Sequence, residues 1–328
     1  MAQKVYLGID TSCYTTSTAV LDEQGHLLGE ARRILSVKPG RCGLQQSEMV
    51  FQHTRNLPVL VEEVLQGKDY ALAAIGVSGY PRPLEDSYMP AFLAGMSVAR
   101  SLAAVTGAKL EVISHQENHL EAGVWSAGGP AAERFLLLHA SGGTTDLLLA
   151  EVQENKRYKI TQIGGSMDLH AGQFVDRIGV ALGLQFPTGP ALEKFAATAA
   201  EPLELPISVR KLEVSLSGPA TAAIRKLEAG ADGAALALGV EYCLAETFAR
   251  MLRNGAAAYS VKDVLLVGGV ASNNYIRQHV QEKLAKRRVK LWVPEGRFSC
   301  DNATGCAALA WRMNTVSYTH LTLPTIRL

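Results

Sequence analysis

The chain has 328 residues, of which 48% are hydrophobic and 19% charged, and its net charge is +1. The length fits two domains of ordinary size, and the balance is globular, which excludes a disordered or fibrous chain. So small a net charge gives no molecule-wide field for nucleic acid and leaves only a local basic face open.

Val5 to Ile9 reads as a buried strand, followed by the polar turn Asp10 to Thr16. Ser17 to Leu21 and His26 to Ala31 read as two further strands joined at a hairpin. Glu48 to Gln66 carries apolar residues at helical spacing (Val50, Phe51, Leu57, Val61, Leu65). A strand at Ala71 to Val77, a helix at Met89 to Thr106 and a strand at Leu110 to Ile113 complete the first set. The pattern then repeats: a strand at Phe135 to Leu138, a glycine-rich polar turn at Ala140 to Thr145, and strands at Asp146 to Val152 and Tyr158 to Ile163. Helices follow at Gln173–Leu182, Pro190–Ala199 and Gly239–Asn254, strands at Val264–Val267 and Val289–Val293, and a last helix near Asn302–Met313. The echo suggests two copies of one βββαβα unit.

The apolar stretch Gly233 to Leu252 is broken by Glu241, Glu246 and Arg250 and reads as an amphipathic helix, not a membrane span. No signal peptide is recognisable at the start. Five scattered cysteines (Cys13, Cys42, Cys243, Cys300, Cys306) without C-x-x-C spacing fit reduced thiols in a cytoplasmic protein. The segment from Val316 to Leu328 has no helical period and is set outside the fold.

Between the two copies lies Ile113-Ser-His-Gln-Glu-Asn-His119. His115 and His119 are four residues apart at a helix start, so they stack on one face. Such a pair can bind a borderline metal ion, or can be an ordinary pair of surface or capping histidines. The polar turns after the first strand of each copy, and the Gly268-Gly269 turn before a helix start, can bring backbone N–H groups close to a nucleotide phosphate.

These residues carry a resemblance to the TsaD family, the threonylcarbamoyl-transferases of the ASKHA (actin/hexokinase-like) superfamily. It runs from about Val5 to about Met313, with motifs in the family's order: Leu7-Gly-Ile-Asp-Thr-Ser-Cys13, His115-Gln-Glu-Asn-His-Leu120, Ser141-Gly-Gly143, Asp168 with Ala171-Gly-Gln-Phe-Val-Asp-Arg177, Phe186-Pro-Thr-Gly-Pro190, Ser215-Leu-Ser-Gly218, Gly268 to Asn273, and Asp301-Asn302. The resemblance implies an α/β fold of two duplicated RNase H-like domains around a central cleft. We place them at residues 1–118 and 119–315, with 316–328 an atypical tail.

It further implies an acyltransferase that moves the threonylcarbamoyl group from threonylcarbamoyl-AMP to N6 of adenosine 37 in tRNA. One divalent metal, iron or zinc, would be held by His115, His119 and Asp301. Ser141, Gly142 and Gly143 would line the adenylate, Asp176 and Gly189 would hold the ribose or adenine, and Asn273 would touch the nucleotide. From the residues alone, Asp176 can equally be a helix-surface charge and Asn273 a helix cap. Partners implied are tRNA, TsaB/TsaE-like accessory proteins and an adenine nucleotide, with no membrane. No residue is singled out as catalytic.

Several charged family positions are changed. Tyr14-Thr15-Thr16 replaces Asp-Glu-Thr, Thr144 replaces a histidine, and Leu169 an aspartate. Gln173 replaces a glutamate, Gly79 to Asp86 replaces a glycine-rich loop, and Pro219-Ala220 stands where the family has a lysine motif. The pattern is that of a diverged paralogue. The alternative to transfer is therefore a nucleotide- and metal-binding paralogue without turnover, acting as subunit or regulator. Zincin-type proteolysis is disfavoured, since Glu117 lies roughly 200° around the helix from His115.

Overall fold

A computed structural model describes residues 2–315, apart from Cys13, residues 38–43 and Glu85. Cys13, Cys42 and the tail 316–328 thus lie outside the described residues. The first strands are β1 (Gln3–Asp10), β2 (Thr15–Asp22) and β3 (Leu27–Ile34), then α1 (Gln46–Leu65), β4 (Tyr70–Tyr80), α2 (Phe92–Thr106) and β5 (Lys109–Ser114). Next come α3 (His115–Ala127), β6 (Arg134–Ala140), β7 (Thr145–Val152), β8 (Tyr158–Ser166), α4 (Ala171–Ala181) and α5 (Gly189–Ala196). Two short strands, β9 (Val209–Arg210) and β10 (Glu213–Val214), lead to α6 (Ser217–Glu228) and the long α7 (Gly233–Tyr259). The chain closes with β11 (Asp263–Val267), α8 (Asn274–Ala285), β12 (Lys290–Trp292), α9 (Gly296–Ser299) and α10 (Thr304–Asn314). Among the described residues no helix is long and apolar enough to cross a membrane.

The chain divides into two units, residues 1–115 together with the chain from Cys306 onward, and Gln116–Gly305. In the first, five strands run in the order β3-β2-β1-β4-β5. The first three pair antiparallel, and β4 and β5 add in parallel. Residues Val5 to Asp10 of β1 are buried without alternation, as expected of a central strand covered on both faces. Val5, Leu7 and Ile9 pack with Leu57, Leu60 and Val64 of α1. The opposite face is covered by α10: Ile113 packs with Cys306 and Leu309, and Thr315 Oγ1 donates to the Tyr6 hydroxyl.

This corrects the expected division. Residues from Cys306 to 315 belong to the first unit, because the apolar back of its sheet needs a helix that only the end of the fold supplies. Gly76 of β4 marks the contact: a Cβ there would collide with the backbone carbonyl of Cys306.

The second unit repeats the plan. Its sheet runs β12-β11-β6-β7-β8-β10-β9, with β6, β7 and β8 antiparallel and β11 and β12 added in parallel. Read from β8, its first five strands have the order of the first sheet, so the duplication inferred from the sequence is present in the topology. Leu136, Leu138 and Leu147 pack with α4 and α7, whereas Phe135, Leu137 and Leu148 pack with Leu120 of α3. The α7 helix differs from the amphipathic expectation. Glu241 and Glu246 are buried and hydrogen-bonded within the unit and do not form a solvent face.

Candidate metal and nucleotide sites

β5 passes directly into α3, so His115 opens the helix and His119 follows one turn later on the same face. His119 is buried, and its Nε2 lies 3.3 Å from Asp301 Oδ1. His115, one turn back, and Asp301 each present a ligand atom within 4.8 Å of that of His119. Ligand atoms about 2.0–2.1 Å from a tetrahedral ion are about 3.3 Å apart, and two imidazoles with one carboxylate suit a borderline divalent metal. The donor set and the His119–Asp301 spacing therefore fit such an ion.

The supporting residues explain why these side chains stand there. Asp10 Oδ2 lies 3.6 Å from His115 Nδ1, in the position of a carboxylate that orients a ligating imidazole. Asp10 is fully buried and accepts from Ser12 Oγ at 2.7 Å. Asn118 Nδ2 donates to the Asn302 carbonyl at 2.7 Å. The Asn302 side chain in turn holds the carbonyls of Phe298 and Cys300 and the N–H of Thr304. The Asp301 loop is thus tied to α3 by the fourth residue of one motif and the second residue of another. Sequence reasoning named the ligands and missed these ties. Asp10, Asn118 and Asn302 were visible as motif members, without a sign that they support the others. Glu117 is buried and lies 3.9 Å from Arg157, so it is engaged with the β7–β8 hairpin.

A cavity of about 430 Å³ lies wholly in the second unit. Gly142, Asp176, Gly189 and Asn273 line it, and so do Glu193 and Glu241, which the sequence did not suggest. Ser141 and Gly143 are not in its lining. They complete the turn in which Ser141 N–H donates to the Thr144 carbonyl at 2.8 Å. The N-terminus of α4 abuts this turn, with Gly172 N–H on the Ser141 carbonyl at 3.0 Å and Ala171 N–H on Thr145 Oγ1 at 2.8 Å. A Cβ on Gly172 would lie 2.6 Å from Gly142 Cα, so only glycine allows this approach.

Of the ordinary readings left open by the sequence, the helix cap at Asn273 is present, whereas Asp176 is part-buried and hydrogen-bonded instead of being a free surface charge. Asn273 caps α8, its Oδ1 accepting from Ile276 N–H at 2.9 Å while Nδ2 donates to Glu241 Oε1 at 2.6 Å. Asp176 Oδ1 accepts from the N–H and the hydroxyl of Thr188, fixing the turn before Gly189. Burial pushes Glu241 up to about 7, with the Asn273 hydrogen bond working against it and the Glu193 charge with it.

The Asp168 and Ser215-Leu-Ser-Gly218 motifs turn out to be one knot. Asp168 Oδ2 accepts from Ser215 Oγ at 2.6 Å and from Ser217 Oγ, and Oδ1 accepts from Leu216 N–H at 2.9 Å. Burial alone would raise this carboxyl, but these hydrogen bonds outweigh it and hold it well below the usual carboxylate range. Gln173 Oε1 accepts the His170 N–H at 3.0 Å, so the family glutamate position is used here as a neutral helix cap.

The two sheets, each a three-stranded meander extended by parallel strands, define the actin/hexokinase-like α/β class. Full-length HypF in a phosphate- and nucleotide-bound form aligns at a TM-score of 0.61 with 10% identity, over 95% of this chain and 56% of that one. A ROK family glucokinase from Streptomyces griseus aligns at 0.53 with 13% identity, over 94% and 99%. Both likenesses concern the fold.

The family model for TsaD, tRNA N6-adenosine threonylcarbamoyltransferase, matches residues 47–308, and the chain belongs to that family. A tRNA N6-adenosine threonylcarbamoyltransferase of Thermus thermophilus is 30% identical over 93% of this chain and 92% of its own length. A probable bifunctional tRNA threonylcarbamoyladenosine biosynthesis protein of Methanothermobacter thermautotrophicus is 31% identical over 93% of this chain. The chain spans only about half (54%) of that relative's length.

Proposed function

We propose that this chain transfers the threonylcarbamoyl group of threonylcarbamoyl-AMP to N6 of adenosine 37 in tRNA. In that reaction the N6–carbonyl bond forms, the bond from the carbonyl to the phosphate oxygen breaks, AMP leaves, and one N6 proton is given up to solvent. His115, His119 and Asp301 hold one divalent metal, iron or zinc, which when bound supplies a Lewis acid for the acyl carbonyl. Asp10 orients His115, and the Asn118–Asn302 tie positions Asp301. The adenylate occupies the 430 Å³ cavity. There Gly142 faces its phosphate, while Asp176, Gly189 and Asn273 take ribose and base. The work is cytoplasmic and is done with TsaB/TsaE-like partners.

What carries this reading is the 3.3 Å juxtaposition of His119 and Asp301 in a chain of this family, one turn from a second histidine. Two measurements test it. Metal analysis of the purified protein beside His115→Ala and His119→Ala is expected to give about one metal per wild-type chain and loss in each variant. Wild-type protein with its accessory partners is expected to modify tRNA from a strain lacking the modification. Undiminished metal in both variants would remove the ligand assignment, and unmodified tRNA would remove the transferase reading for this chain.

A further inference from the structure

A second concave feature lies in the second unit among residues the proposed reaction does not use. A notch of about 720 Å³ is walled by the end of α7, the turn into β11 and the turn after α8. Arg253, Lys262 and Arg287 line it beside Asn254 and Ser260, and no carboxylate among the described residues does. Three other cations of α7 and α8 are neutralised: Glu246 pairs with Arg250, Lys283 and His279. In contrast, Arg253, Lys262 and Arg287 are exposed and make no ion pair or side-chain hydrogen bond among the described residues. Lys286 and Arg288 flank them, and residues 283–290 contain no acid.

These cations complement the C-terminal ends of α7 and α8 in part. Two helix ends contribute about −0.5 charge each. Three full positive charges exceed that by about two, so the notch keeps a net positive field in a protein whose total charge is only +1. None of the exposed large hydrophobic side chains lies on residues 250–262 or 283–293, so the surface lacks the apolar component that lipid insertion uses.

We propose that this notch binds the phosphodiester backbone of the RNA substrate, as a contact separate from the adenylate cavity that positions tRNA without reading its sequence. The RNA assignment rests on the transferase reading, whereas the anion site itself does not. Backbone contacts of this kind release counterions, so each cation lost changes the salt dependence of binding and not only the affinity.

The test is tRNA binding by the full chain, measured by anisotropy across a salt series, for wild type and for Arg253→Gln, Lys262→Gln, Arg287→Gln and the triple variant. Each single change is expected to lower the slope of log K against log salt by about 1, and the triple by roughly 2 to 3. Binding of an adenine nucleotide and the thermal midpoint, measured on the same samples, are expected to stay at wild-type values. An unchanged slope in the triple variant overturns the proposal even if wild type modifies tRNA. A lowered slope sustains it even if turnover is absent. Loss of binding to anionic phospholipid vesicles with the tRNA slope intact would assign the notch to a lipid surface and overturn the RNA assignment.

Discussion

Glu241 sits on a helix whose sequence suggested a wet, charged face, yet it is only 2% exposed. Its carboxyl is raised from 4.5 to about 7, so the folded protein holds a proton there that the unfolded chain releases first. A raised folded value means its stabilising contribution is present below about pH 4.5 and is lost as the pH climbs towards 7. Replacing it by glutamine should flatten that part of the stability profile. Denaturant midpoints at pH 5 and pH 7.5 are expected to differ less in Glu241→Gln than in wild type. Sequence periodicity could not reveal this residue, because a glutamate on a helix is usually solvated, and only burial against Asn273 makes it unusual. The histidine pair, by comparison, was legible at once, since spacing on one helix is a local property. Asp301 could be attached to the pair only through the resemblance, because nothing local links positions so far apart in the chain.

At the scale of elements, strands and long helices were readable wherever apolar residues kept one period, as in Val5 to Ile9 or Glu48 to Gln66. The α6 helix was not, because it opens on Ser217-Gly-Pro219 and two of its first three residues are helix-breaking types in an interior. Proline near a helix start is compatible with the geometry, and the missing cap comes from outside the helix: Asp168 accepts the N–H of Leu216. Asp168→Ala should therefore cost about 1–2 kcal/mol, the usual scale for a lost cap. Because the carboxyl is held low, wild type should lose this advantage only in strong acid, below the usual range near 3.8. Thermal melts of both proteins at pH 7 and pH 3 check the sign: the gap between them should narrow at the lower pH.

At the scale of the whole molecule, the duplicated strand order was visible in the echo of strand, polar turn and hairpin. The division between units was misplaced at its far end. Residues 306–315 follow directly from Asp301 and carry no composition change, so nothing in the sequence says that the helix they form joins the first sheet. Packing decides it: Gly76 leaves room for the Cys306 carbonyl, and Trp311 Nε1 donates to the Glu23 carbonyl at 3.0 Å. Gly76→Ala should destabilise the first unit by about 3 kcal/mol, since a backbone carbonyl cannot swing aside as a side-chain tip can. Hydrogen exchange should show the loss in β4 and α10 and leave the amides of β7 protected.

The return of α10 to the first sheet also sets a timetable for synthesis. A ribosome makes residues 1–115 first, but the helix that covers Tyr6 and Gly76 emerges only after the 190 residues from Gln116 to Gly305. At about 5–20 residues per second, that delay is roughly 10–40 s. During it the back of the first sheet lacks its helix, while the second unit is still being made. The nascent chain thus carries its older half unfinished until the younger half has been made, and chaperones that shield apolar strands should meet this protein through β1 and β4.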